Sequence, residues 1–280
     1  MFKTHIFITK EQFNDEIQIV KQLLDSLTSF KYDSITLYGS AYNKETFEKD
    51  LSDIDIIVMS KKFNDYNLNS IVNELKIKNI NFREKSPKII IDNLCARIEF
   101  YVKFEKISID VTLCGGLIPN IDELIKNAWY DSFEALMGGV YIYSKTIYGM
   151  IPDYELFKEK YYPFYNDELR KKRLKILCEK LEIYNKKIEY NYNIKSTETI
   201  DMLIKARKYF IKILFIYYKK YYWSPEKHIY YQLNNFLNLD EETKKILTFS
   251  CGDIFECSKK YLNVSKMYLS LIKKEILDNF

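Results

Sequence analysis

Two short stretches of this chain bring together residue types that can do chemistry. Leu37-Tyr38-Gly39-Ser40 ends an apolar run in a glycine-serine turn, and Ser52-Asp53-Ile54-Asp55-Ile56-Ile57-Val58 follows after a polar linker. In an extended strand, residues two apart share a face. Asp53 and Asp55 are therefore expected to point out of a sheet together while Ile54 and Ile56 point into a core. Two carboxylates on a rigid strand, beside the backbone N–H groups of a Gly-Ser turn, suit a nucleoside triphosphate held through magnesium, a hard cation that takes oxygen ligands.

Gly39-Ser40, a linker of twelve residues and then Asp53-Ile54-Asp55 resemble the signature of the DNA polymerase beta-like nucleotidyltransferase superfamily. The resemblance spans about residues 35–113. It implies an α+β fold that opens with a nucleotidyltransferase palm, a mixed sheet with helices on one face, and it implies a third carboxylate on a later strand. Asp110, in Ile107-Ser108-Ile109-Asp110-Val111, is the preferred residue and Glu99, in Arg97-Ile98-Glu99-Phe100, its rival. The strand of Asp110 follows that of Glu99 across a short turn at Glu105-Lys106 and ends in Cys114-Gly115-Gly116, as a strand entering a loop at the site would. The resemblance further implies that Asp53 and Asp55 bind two Mg2+ ions about 4 Å apart. Asp110 would complete the ion next to the acceptor hydroxyl and help that hydroxyl lose its proton. Gly39 and Ser40 would hold the outer phosphates.

These residues need elements to hold them. Ile35–Leu37 and Ile54–Val58 read as the two strands of the site, and Lys106–Leu113 as a third. Thr9 and Gln12 form a capping-box pattern ahead of the apolar stripe Phe13, Ile17, Val20, Leu23, Leu24 and Leu27, which predicts a helix packed behind the first strand. A helix over Leu68–Leu75, an extended Lys88–Ile91, a helix over Asp122–Trp129 and a final strand from Val140 to Gly149 complete the first half. From Asp153 the chain reads as helix, with breaks near Pro163, Asn191–Ser196, Ser224-Pro225 and Ser250–Gly252. The organisation expected is a catalytic domain over 1–150 and a helical bundle over 151–280. Charge divides at the same place, −3 before it and +7 after it within a total of +4.

Lys205, Lys208 and Lys212 are spaced three and four apart on one predicted helix face and are candidates for the triphosphate or a nucleic-acid backbone. Phe164–Arg170 and Tyr221-Tyr222-Trp223-Ser224-Pro225-Glu226-Lys227-His228 resemble the helical partner domain of small nucleotidyltransferases related to the enzymes that adenylylate aminoglycosides. That resemblance implies acceptor contacts from Arg170, Arg173, Tyr222, Trp223 and His228. It also implies a pocket completed across a subunit boundary, hence a homodimer. Tyr217, Tyr218, Tyr221, Tyr222 and Trp223 beside Lys219 and Lys220 could stack bases, although tyrosines in amphipathic helices ordinarily serve the core.

Only two histidines, His5 and His228, are available, so a histidine-rich zinc site and a Ser-His-Asp hydrolase lack material. The five cysteines form no Cys-x-x-Cys pair and fit thiols of a reducing compartment. No apolar segment long enough for a membrane span is present, so a cytoplasmic protein is expected. The function expected is transfer of a nucleoside monophosphate, AMP from ATP by resemblance, to a hydroxyl of a small molecule or protein, with release of pyrophosphate. Template-independent addition to an RNA 3′ end and a silent, antitoxin-like nucleotide-binding module are the alternatives.

Overall fold

A computed structural model describes residues 10–39, 54–78, 87–91, 96–104, 108–115, 144–161, 167–222, 229–250 and 253–277. Asp53, Ser40, Trp223 and His228 lie outside the described residues, as do the helix expected over Asp122–Trp129 and the first part of the strand expected from Val140. The chain is α+β, and it divides into two compact units.

The first unit is built on a six-stranded mixed sheet in the order β3-β4-β5-β2-β1-β6. Its strands are β1 (Ser34–Tyr38), β2 (Ile54–Met59), β3 (Lys88–Ile91), β4 (Ala96–Lys103), β5 (Ser108–Cys114) and β6 (Lys145–Gly149). All neighbours are antiparallel except β2 and β5, which run parallel. The alternation of side chains decides what each face is. Ile35, Leu37, Ile54, Ile56, Val58, Ile98, Phe100, Val102, Ile109, Val111 and Leu113 form one apolar face. Against it pack Ile17, Val20 and Leu24 of α1 (Lys10–Asp25) and Ile71, Val72 and Leu75 of α2 (Leu68–Ile77). Helix α2 starts where the Asn67 side chain accepts a hydrogen bond from the Ser70 N–H at 3.2 Å.

The opposite face carries the polar side chains of Ser34, Thr36, Tyr38, Asp55, Asp110 and Thr112 alongside apolar ones. Ser34, Thr36, Ile57, Met59 and Cys114 on it are buried. Helix α3 (Pro152–Tyr161) is fastened along the β6 edge of the sheet: the Tyr154 and Ser144 hydroxyls meet at 2.9 Å, and Thr146 donates to Glu155 at 2.8 Å beside the Thr36 hydroxyl. The resemblance implied helices on one face only, and α3 adds a contact on the other, through Thr146 beside Thr36. Towards Tyr38, Tyr101, Asp55, Asp110 and Thr112 the same face retains partial exposure.

The second unit comprises α4 (Asp167–Asn193), α5 (Glu198–Tyr217), α6 (Ile229–Phe236), α7 (Glu241–Leu247) and α8 (Ile254–Ile272), which continues as a π-turn over Lys273–Leu277. Leu174, Leu177, Leu181 and Ile188 of α4 share a core with Leu203, Phe210 and Leu214 of α5 and with Tyr261, Leu269 and Ile272 of α8. Inside it the Asn185 amide donates to the Ser265 hydroxyl at 3.0 Å and ties α4 to α8. Helix α5 ends at Tyr217, ahead of the break expected at Ser224-Pro225, because Lys219 adopts φ +55 and the Lys220 N–H closes the end by donating to the Phe215 carbonyl at 2.8 Å. Cys114 and Cys178 are free and buried, whereas Cys257 is disulfide-bonded, which departs from the expectation of thiols throughout. Among the described residues no helix is long and apolar enough to cross a membrane.

Candidate active site

The Tyr38 end of this face gathers the carboxylates. Asp55 and Asp110 are directly opposite each other in the parallel register of β2 and β5, and Tyr38 is opposite Asp55 on β1. Adjacent strands lie about 4.8 Å apart, and like charges directly opposite each other on one face are destabilising. Two hard oxygen donors side by side are what a divalent cation such as Mg2+ would take.

The turn after β1 is shaped around this pair. Gly39 adopts φ +68, a conformation that favours glycine, and a Cβ placed there would come within 2.7 Å of Asp55 Oδ2. A larger residue there would strain the backbone and have to displace the Asp55 carboxylate. This cradle fits a site in which a phosphate-binding turn and a cation ligand act on the same group.

Glu99 is placed differently. On β4 it is opposite Thr112, while Tyr101 is the residue opposite Asp110. Its carboxylate accepts a hydrogen bond from Arg97 Nε at 2.7 Å. Glu99 therefore lies one strand beyond Asp110, offset along the sheet and already engaged by a cation. Among the described residues no group of three His, Cys, Asp or Glu side chains gathers, and Asp53 falls outside that set.

Tyr38 is a residue of the site that the sequence pattern alone does not single out. Its phenol is pushed well above its ordinary pKa by burial first, then by the negative charges of Asp55, Asp110 and Glu99, against a hydrogen bond with Thr112 that acts the other way. It stays a neutral phenol through the physiological range. The available signal is its position, immediately before Gly39 and in step with Ser34 and Thr36 on the polar side of β1.

The candidates in the second unit take mixed positions. Arg170 Nε and Nη2 donate to the carbonyls of Ile216 and Tyr217 at 3.1 and 2.7 Å, which satisfies the C-terminal end of α5. Arg173 is 1% exposed and Tyr222 0%, with the Tyr222 ring edge-on to Phe215. Lys205 is exposed and Lys208 half-buried, but Lys212 is 9% exposed and its ammonium lies 5.9 Å from the centre of the Tyr209 ring. The three lysines of one helix face thus differ in access to solvent. Of the five aromatic residues expected at the helix end, Tyr221 and Tyr222 are buried, and Tyr217 donates its hydroxyl to Glu275 at 2.6 Å.

No family model matches this chain, and no curated protein matches it in sequence. Among solved structures it is similar to the nucleotidyltransferase-like protein from Exiguobacterium sibiricum 255-15. The TM-score is 0.45 and the sequence identity 9%, over 91% of this chain and 74% of that one. At that distance the likeness carries no functional weight, and the chemistry must be read from the sheet itself.

Proposed function

We propose that this chain is a metal-dependent nucleotidyltransferase that moves a nucleoside monophosphate, AMP from ATP, onto a hydroxyl group and releases pyrophosphate. The observation that carries this reading is the direct pairing of Asp55 with Asp110 across β2 and β5, with Gly39 beside Asp55. Asp53, two residues before Asp55, is proposed to complete the ligand set. Mg2+, when bound, supplies charge neutralisation and Lewis acidity at the phosphoryl oxygens.

The chain's own residues have separable tasks. Asp53, Asp55 and Asp110 would hold the metal, and the backbone N–H groups beyond Gly39, with Ser40, hold the outer phosphates. Asp110 accepts the proton of the acceptor hydroxyl on its carboxylate. The acceptor oxygen then bonds to the α-phosphorus as the bond from that phosphorus to the α,β-bridging oxygen breaks, and pyrophosphate carries the electron pair away. A hydroxyl of a small molecule or protein is the proposed acceptor.

The test uses α-labelled ATP, GTP, CTP and UTP with Mg2+, offered total RNA in one reaction and an RNA-free extract in another. Asp55→Asn and Asp110→Asn proteins serve as comparisons. Label in the RNA-free extract that falls by at least about 100-fold in both variants is the expected result. Label on RNA instead would make the protein a nucleotide-adding enzyme of RNA ends. Transfer that persists in both variants would remove these carboxylates from the chemistry.

A further inference from the structure

Helices α4 and α5 carry the same run of residue types, Lys-x-x-x-Tyr-x-x-Lys: Lys180, Tyr184 and Lys187 on α4, and Lys205, Tyr209 and Lys212 on α5. Spacings of four and three keep each set on one side of its helix. The two sides meet, because the rings of Tyr184 and Tyr209 stack with centroids 5.4 Å apart and planes inclined by 25°. The helices run antiparallel, since Arg170, near the start of α4, reaches the carbonyls of Ile216 and Tyr217 at the end of α5. Lys180 is therefore level with Lys212, and Lys187 with Lys205 about 10 Å further along, at about 1.5 Å per residue.

The tyrosines hold the ammonium groups. Those of Lys180 and Lys212 lie 5.4 and 5.9 Å from the centre of the Tyr209 ring, and that of Lys187 lies 5.6 Å from the centre of the Tyr184 ring. An ammonium over a ring face is attracted by the ring's quadrupole, which draws three positive charges to one stacked pair. Lys187 and Lys205 are exposed and Lys180 half-buried, whereas Lys212 is 9% exposed and adds its charge from within. Glu182 and Glu189 of α4 pair instead with Lys273 and Lys266.

We propose that this side of the α4–α5 pair is a track for the phosphodiester backbone of a single-stranded nucleic acid. Such binding goes beyond the transfer reaction proposed above and does not depend on it. The distance of about 10 Å between the two levels of lysines equals about three nucleotides of a stacked strand, at about 3.4 Å each. Because the two rings are engaged with each other and with lysines, they serve to place charge and not to stack bases. The strand is therefore held through its phosphates, without regard to sequence.

The test is fluorescence anisotropy of labelled oligo(U) and oligo(A), without ATP or divalent cation, at a series of KCl concentrations. It compares the wild-type chain with Lys187→Gln/Lys205→Gln, with Asp55→Asn and with Lys259→Gln, which removes an exposed charge from α8. Three accessible lysines on phosphates give a slope of log K against log salt of about −2, or about a 20-fold loss of affinity between about 50 and about 200 mM. The double variant keeps one of the three, so its slope should fall to about −0.7 and its loss over the same range to about 3-fold. Lys259→Gln and Asp55→Asn are expected to bind like wild type, the second of these separating the track from the metal-dependent site. Both lysines of the double variant are exposed, so its melting temperature should be unchanged. Oligo(U) and oligo(A) should bind within about twofold of each other. A wild-type slope in the double variant, or no binding by the wild-type chain, would overturn the track. Tripolyphosphate that displaces the strand at equal phosphate concentration would overturn it in favour of a free polyphosphate.

Discussion

At the scale of single residues, the site is a set of conflicts that folding alone does not resolve. Asp55 and Asp110 repel across neighbouring strands, so exchanging either for Asn should leave the melting temperature equal or slightly higher while transfer is lost. Circular dichroism melts of the two variants check this, and a clear loss of stability would mean that the carboxylates serve the fold. Gly39 is constrained from two sides. An alanine at its φ of +68 costs about 1–2 kcal/mol of backbone strain, and its methyl would press on Asp55 Oδ2. Gly39→Ala should therefore lower the melting point modestly and reduce transfer far more than that loss of stability accounts for. A fully active Gly39→Ala protein would show that Asp55 does not act from this position. Arg170 shows the opposite outcome: a residue with binding chemistry has its guanidinium committed to the end of α5.

At the scale of elements, the polar contacts that fix the apolar layer lie away from the carboxylates. Glu74 on α2 accepts hydrogen bonds from the Thr28 and Ser29 N–H groups at 2.8 and 2.9 Å and from both hydroxyls, which locks the segment after α1 onto α2. Partial burial raises its pKa, but the bonds from Ser29 and Thr28 outweigh this and bring it down from 4.5 to about 2. A carboxylate with a depressed folded pKa stabilises the fold fully above its unfolded value. That contribution fades as pH falls from about 4.5 towards about 2. Glu74→Ala should cost on the order of 1–2 kcal/mol at pH 7, and the gap from wild type should close as the pH approaches 2. Urea titrations across that range test the sign. Helix ends are harder to read than helix bodies, because Lys195, Lys219 and Phe249 occupy the left-handed positions where a glycine would have announced the stop.

At the scale of the whole molecule, each unit has an apolar cluster of its own, one between the sheet and α1 and α2, the other among the long helices. Units with separate cores unfold as separate cooperative transitions unless a large interface couples them. Calorimetry is expected to resolve two transitions. ATP with Mg2+ at about 100 times its Kd should stabilise the one containing the sheet by about 2.7 kcal/mol. Asp55→Asn should abolish that shift, which identifies the transition. Nucleotide that moves only the Asp55-independent transition would place the binding residues in the helical unit.

The sequence by itself determined the alternation of β1, β2 and β5, the helices α1 and α2 and the mainly helical second half, because periodicity and residue chemistry are local properties. Asp55 is named by its pattern with Gly39-Ser40 and Asp53, and Asp110, with Glu99 as its rival, by the third carboxylate that the resemblance implies. The sequence could not give strand order or register, which are set by long-range pairing. Tertiary structure alone therefore put Asp110 directly across from Asp55, moved Glu99 one strand away to Arg97, fastened α3 along β6, and set Tyr38 opposite Asp55. It also withdrew Arg173, Lys212 and Tyr222 from solvent, because burial depends on what packs against a helix and not on the helix's own pattern of charges.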